Sequence, residues 1–218
     1  MQVTAVIIAR GGSRRLPGKN LLNFHGRPLV AHKVHQLRQC RLVDTVVVGS
    51  DSQEILDVAA KESAQVVRRK AEFCDEVSRP WNDVIADMAS KVPGDVILWA
   101  HCTNPCIRPQ TYDRALADYL TREEGYDSLV GVTRLQSHLW FRGEPLNYTP
   151  GAVPHPVAAQ LEPVYWQNGG IFIMDRQAML DRRYVIGDRP LLFEVSEDEA
   201  VDIDTEEDYR RAVSAFVA

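Results

Sequence analysis

The chain alternates short apolar runs with amphipathic stretches, and this rhythm admits few folds. "VTAVIIA" (3–9), "DTVVVGS" (44–50), "AQVVR" (64–68), "DVILWA" (95–100) and "DSLVGVT" (127–133) read as strands. Their near-continuous apolar character suits strands covered on both faces. Between them, "PLVAHKVHQLRQC" (28–40), "SQEILDVAAKES" (52–63), "PWNDVIADMASKV" (80–92) and "QTYDRALADYLTREE" (110–124) place apolar residues at helical spacing. Pro28, Pro80 and Pro109 stand at first turns. Strand–helix alternation implies βαβ units. The expected fold is Rossmann-like α/β: a mostly parallel sheet with helices on both faces. The 218 residues suit a single domain, 1–218.

The rhythm breaks after residue 133. From 135 to 163 the chain holds five prolines and no clear period. This stretch reads as an excursion from the core, because Leu139, Trp140, Phe141 and Tyr148 favour burial. "VYWQNGGIFIM" (164–174) returns as a strand around a Gly pair. "LLFEVSEDEAVDIDTEEDYRRAVSAFV" supplies a last strand, an acidic stretch and a closing helix. Thr205 and Asp208 fit the capping box of that helix.

The net charge of −5 argues against a nonspecific nucleic-acid binder. No apolar run is long enough to span a bilayer, and the N-terminus lacks a basic, apolar leader. The expectation is a cytoplasmic protein with no membrane partner. Cys40, Cys74, Cys102 and Cys106 form no CxxC pair and read as reduced thiols.

Positive charge is concentrated in one place. After the first strand, residues 10–20 hold Gly11, Gly12 and Gly18 with Arg10, Arg14, Arg15 and Lys19. Ligands of open α/β sheets bind beyond the carboxyl ends of strands, where this loop falls. Glycines let backbone N–H groups approach an anion, and cations neutralise it. A phosphate-binding loop is the functional reading of this stretch; a surface Gly turn with solvated charges is the other. It is not a Walker A loop: five residues separate Gly12 from Gly18, and Asn20 stands where Ser or Thr would hold Mg²⁺.

"IIARGGSRRLPGKN" resembles the N-terminal signature of the CMP-sugar synthetases, the acylneuraminate cytidylyltransferases. Ala9, Arg10, Ser13, Arg14, Pro17, Lys19 and Asn20 stand in register with it. "VVVGSDSQEI", "VVRRKAEF", "YWQNGGIFIM" and "EAVDIDTEEDYRRA" resemble the later motifs in the same order. The resemblance implies a fold of the nucleotide-diphospho-sugar transferase type. It implies a nucleotide site built from Ala9, Arg10, Gly11, Gly12, Ser13, Lys19, Asn20, Arg69 and Ser78. "AHCTNPCIRP" departs from the family pattern after the fourth strand, with His101 where a sugar-contacting glutamine is common. His101, Thr103, Asn104, Arg108, Gln167 and Asn168 are the substrate-side candidates. Asn168 with Gly169 and Gly170 also reads as a strand bulge, and Arg108 also as a partner of Asp113. Trp81, Trp99 and Trp166 read as core or interface residues.

In a strand, residues i and i+2 share a face, so Asp202 and Asp204 are expected to project together. Two such carboxylates beside phosphate suit Mg²⁺ or Mn²⁺; otherwise they belong to a solvated acidic run. The implied reaction joins CTP and a nonulosonic acid (sialic, legionaminic or pseudaminic) into a CMP-sugar, with release of pyrophosphate. Arg10, Lys19, Asp202 and Asp204 are the expected catalytic set, and Asn20 is expected to hydrogen-bond the nucleotide. The 135–163 excursion is expected to build a homodimer. Two other readings fit these residues. One is a same-fold transferase acting on Kdo, a phosphonate or another small acid; the other is a catalytically silent nucleotide binder.

Overall fold

The computed structural model describes residues 1–75 and 77–216. The end of the closing segment, Val217, lies outside them. The elements run β1 (Val3–Ile8), a small hairpin of β2 (Asn23–Phe24) and β3 (Arg27–Pro28), α1 (Leu29–Arg38), β4 (Thr45–Ser50), α2 (Gln53–Lys61), β5 (Gln65–Arg68), α3 (Trp81–Ser90), β6 (Val96–Trp99) and α4 (Pro109–Leu120). Then come β7 (Ser128–Leu135), β8 (Trp140–Phe141), β9 (Glu144–Pro145), β10 (Val164–Asp175), α5 (Arg176–Arg182), β11 (Pro190–Glu194) and α6 (Glu206–Ala215). The described residues build a seven-stranded sheet in the order β11-β7-β10-β6-β1-β4-β5. Its neighbours pair parallel except where β10 lies antiparallel between β6 and β7.

Alternation along each strand sorts the core into two layers. Ala5, Ile7, Val46, Val48, Val96, Leu98 and Ile173 pack with Val34 of α1, Ile55 of α2 and Leu116 of α4. Val6, Val47, Ile97, Trp99, Phe172 and Met174 face the other way, onto Ile85 and Met88 of α3 and Met179 of α5. A third cluster joins Leu16, Phe24, Leu29, Cys106, Val201, Ile203 and Ala212. It gathers the loop after β1, the small hairpin and α6 at one corner, and it positions the site.

The long elements fall where the periodicity puts them, with trimmed ends. α4 stops at Leu120, and Pro28 and Pro80 sit at N-cap positions, with only Pro109 inside a first turn. The capping box forms: Thr205 Oγ1 accepts from the Asp208 N–H at 3.2 Å, and the Thr205 N–H donates to Asp208 Oδ2 at 2.9 Å. α5 is absent from the sequence reading because seven residues with one buried side chain, Met179, carry no readable period.

The 135–163 excursion leaves Trp140 61% and Phe141 59% exposed, so the chain does not bury them on itself. Arg142 and Gly143, both at positive φ, turn the β8–β9 hairpin. Asn147 fastens it, accepting from the Leu139 N–H at 3.0 Å and donating to the Ser137 carbonyl at 2.8 Å. His138 and His155 stack, and Tyr148 meets both edge-on.

Candidate active site

The loop after β1 is shaped by contacts to neighbouring strands. The Ala9 N–H donates to the Gly49 carbonyl at 3.0 Å, extending the β1–β4 pairing. The Gly11 N–H donates to Asp51 Oδ1 at 2.9 Å. That amide therefore braces the loop and is not held in reserve for phosphate. Gly18, at φ 66°, supports the left-handed turn that opens the short helical turn Lys19–Leu21. Asn20 closes the loop on itself: its Nδ2 donates to the Arg10 carbonyl at 2.8 Å, and its Oδ1 accepts from Cys102 Sγ at 3.0 Å. Both ends of that side chain bond the protein, so it holds the loop, while it also lines the cavity.

Leu16 fixes where the loop goes. It is buried in the cluster that also holds Ile203. This packing brings Lys19 against the 202–204 segment, 184 residues away, where Lys19 Nζ donates to the Ile203 carbonyl at 2.7 Å and pairs with Asp204 at 3.0 Å. Arg15 also meets Asp204, at 2.9 Å. The Ile203 N–H donates to the Thr103 carbonyl at 2.8 Å, tying this segment to the loop after β6. The segment is irregular, not a strand. Asp202 and Asp204 are nonetheless close enough for the charge of Asp204 to raise the Asp202 carboxyl further above the usual range, after burial, the main cause. Asp202 Oδ1 is buried and has no hydrogen-bond partner among the described residues.

These elements enclose a cavity of about 350 Å³. Arg10, Ser13, Arg15, Lys19 and Asn20 line it from the first loop, His101 to Thr103 from the loop after β6, and Arg69 and Phe73 to Asp75 from the chain after β5. Arg79, Trp81 and Val84 close it from the start of α3, and Asp204 from the last segment. The lining cations Arg10, Arg15, Lys19, Arg69 and Arg79 outnumber the lining carboxylates Asp75 and Asp204. Arg69 is buried, with an Nε that has no hydrogen-bond partner among the described residues.

Gly49 makes room for Arg69. A Cβ there would stand 2.8 Å from Arg69 Cδ and 2.6 Å from Met88 Sδ. Gly49→Ala is expected to cost about 1–3 kcal/mol through overpacking. Thermal melting of that variant checks this.

Several candidates lie away from the cavity. Gly12 is exposed, with open space where a Cβ would be. Ser78 Oγ donates to Asp75 Oδ2 at 2.7 Å, so it acts on a lining residue without lining the cavity itself. Arg108 turns to Asp198 at 3.1 Å and Glu199 at 3.3 Å. Its suggested partner Asp113 instead accepts the Arg41 and Leu42 backbone N–H groups. Asn104 and Asn168 are buried, and Asn104 Nδ2 donates to the Asn168 carbonyl at 3.2 Å. The pairing of β10 shifts between Gln167 and Phe172, which makes 168–170 a bulge. Its Asn168 Oδ1 accepts the Gly170 N–H at 3.1 Å, and Gln167 is exposed. Beneath Asn104 lies Lys33, fully buried, donating to the Asn104 carbonyl at 2.8 Å and to Tyr112 Oη at 2.9 Å. Burial pushes its ammonium down to about 7. This buried polar network is the floor under the loop after β6.

Arg15, Phe73, Cys74, Asp75, Arg79 and Trp81 line the cavity without having been picked out as site residues. Trp81 is 42% exposed and lines the cavity, so it is not a core residue. The available signal was positional: 79–81 open the helix after β5, at the carboxyl edge of the sheet.

The family model for cytidylyltransferases matches residues 4–142. The chain belongs to the cytidylyltransferase family. This cytidylyltransferase is 30% identical over 225 residues to the CMP-N,N'-diacetyllegionaminic acid synthase of Legionella pneumophila, covering 96% of this chain and 94% of that one. It is 26% identical over 215 residues to N-acylneuraminate cytidylyltransferase A of Danio rerio, covering 95% of this chain but 49% of that longer protein. Its fold matches a CMP:2-keto-3-deoxy-manno-octonic acid synthetase solved with CTP, at a TM-score of 0.74 and 18% identity over 98% of both chains. A 4-diphosphocytidyl-2C-methyl-D-erythritol synthase from Anaerococcus prevotii matches at 0.69 and 12% identity, over 98% of this chain and 95% of that one. No described helix is long and apolar enough to cross a membrane.

Proposed function

We propose that this cytidylyltransferase transfers CMP from CTP to the anomeric hydroxyl of an acidic keto-sugar, most simply a nonulosonic acid, with release of pyrophosphate. The observation that carries the reading is the cavity, where Arg10, Arg15, Lys19, Arg69 and Arg79 gather around Asp204, two residues along the chain from the buried, unpartnered carboxylate oxygen of Asp202. The names of the Legionella and zebrafish relatives support the choice of acid.

In the reaction, the sugar hydroxyl oxygen bonds to the α-phosphorus while the bond to the bridging oxygen breaks. The hydroxyl loses its proton, and the electron pair leaves with pyrophosphate. Arg10 and Lys19 meet the charge growing on the phosphate oxygens, and they are placed before the reaction begins. Arg15 stands beside them, paired with Asp204. The loop is braced by Asp51, Asn20 and Leu16, so little reorganisation is required of it.

The donor set fits a hard divalent cation. Oδ1 of Asp202 is costly to bury unpaired, and a cation relieves that cost. Asp202 and Asp204 would hold Mg²⁺ (or Mn²⁺), which when bound neutralises phosphate oxygens and helps orient them. Among the described residues no group of three or more His, Cys, Asp or Glu is placed to bind a metal. The remaining ligands would therefore be phosphate oxygens and water.

Pyrophosphate release from CTP across a panel of nonulosonic and octulosonic acids tests this function. Turnover of a nonulosonic acid is the expected result. Preference for Kdo would favour the second reading, which the fold match to the octonic acid synthetase supports. No release with any acid would defeat both.

The excursion fits a homodimer. Trp140, Phe141, Leu146, Val153 and Val157 are each more than half exposed on it, an apolar surface costly to leave in water. Light scattering at micromolar concentration is expected to give twice the monomer mass. Trp140→Asp with Phe141→Asp is expected to give monomers, and a monomeric wild type would end this part of the proposal.

A further inference from the structure

Trp99 and His101 project to the same side of the extended chain at the end of β6, because side chains two residues apart share a face. The chain stays paired beyond the strand, with the Ala100 N–H donating to the Val6 carbonyl at 2.9 Å. Trp99 is fully buried, and its Nε1–H donates to His101 Nε2 at 3.2 Å. An indole nitrogen can only donate, so Nε2 accepts and carries no proton. The ring's proton then sits on Nδ1, which has no hydrogen-bond partner among the described residues. Trp81 packs edge-on to Trp99, with centroids 6.3 Å apart and planes at 76°, and Phe172 lies 6.2 Å from the imidazole. Both rings limit how the pair can turn. His101 lines the cavity, next to Cys102 and Thr103.

We propose that Trp99 is a positioning residue that fixes His101 as a neutral Nδ1–H donor to an oxygen of the acceptor substrate. The same tautomer bars His101 from serving as general base for the acceptor hydroxyl, since the nitrogen left free already holds its proton. The inference rests on the transferase reading of the cavity. The charge around the ring agrees with it. Burial, and then the positive charges of Lys19 on the first loop and Lys33 on α1, push the imidazole down to about 4. A neutral donor also has a chemical use here. An imidazolium would add one more cation to a wall of arginines and attract any phosphate. A fixed N–H reads the position of an oxygen and adds no charge to the triphosphate clamp.

The test begins with wild-type protein labelled with ¹⁵N at histidine. Long-range ¹H–¹⁵N correlation at pH 7 reads both ring nitrogens, and the His101→Gln spectrum assigns the signal by its loss. The expected result is Nδ1 protonated and Nε2 bare. A proton on Nε2, or on both nitrogens, would overturn the proposal without any activity measurement. Trp99→Phe keeps an aromatic ring and removes the donor. It is expected to release the tautomer and to raise KM about tenfold, the scale of one hydrogen bond, for the acid that wild type turns over best. KM for CTP is expected to stay within twofold. An unchanged tautomer, or an equal rise for both substrates, would overturn the positioning role. His101→Gln keeps a neutral N–H but moves it, and is expected to raise KM for that acid with only a partial loss of kcat, as a hydrogen-bond role requires. A loss beyond a hundredfold would assign His101 to proton transfer instead. If no acid is turned over, the transferase reading falls, while the wild-type spectrum still decides the Trp99–His101 pairing.

Discussion

Arg10→Ala and Lys19→Ala are each expected to lower kcat by about 10²–10³, with a much smaller rise in KM for CTP. Both cations line the cavity, and the charge they meet grows only as pyrophosphate leaves. Lys19→Ala is expected to lose stability as well: Lys19 Nζ donates to the Ile203 carbonyl and pairs with Asp204, so its loss also loosens the last segment, and removing such hydrogen bonds costs about 1 kcal/mol each. Steady-state kinetics with thermal melts check both statements. Near-normal turnover in either variant would place the triphosphate elsewhere.

Asp202→Asn and Asp204→Asn are expected to abolish most turnover, by at least about a hundredfold, if both carboxylates hold a metal that stabilises several kcal/mol of transition-state charge. EDTA is expected to do the same to wild type. The melting temperatures are expected to separate the two positions. Asp202 carries a buried oxygen without a partner, so removing its charge relieves a desolvation cost, and stability should hold or rise. Asp204 is partly exposed and paired with Arg15 and Lys19. Its loss is expected to cost about 0.2–1 kcal/mol, as for other accessible ion pairs. If the pair served only the start of α6, both variants would keep their rate and lose a little stability. Full activity in EDTA would remove the metal from the mechanism.

Sequence alone determined the sheet-and-helix architecture, because it rests on local periodicity. The five near-continuous apolar runs become β1, β4, β5, β6 and β7, and the Thr205–Asp208 box caps α6 as its spacing requires. The cavity-lining cations of the first loop were legible for a similar reason: charge and glycine crowd into eleven consecutive positions after the first strand. Only the tertiary structure decided how those residues are used. Asn20 and the Gly11 amide have partners within the chain, and Arg108 is paired with Asp198 and Glu199. Such partners come from distant elements, and no local pattern records which donor meets which acceptor. The meeting of Lys19 with Asp204 depends on Leu16 and Ile203 sharing one apolar cluster across more than 180 residues. The hydrogen bond from Trp99 to His101 is hidden differently. Their spacing of two is plain in the sequence, but the donor–acceptor geometry exists only once β6 is paired and Trp99 is buried, since burial is what fixes the indole against the imidazole.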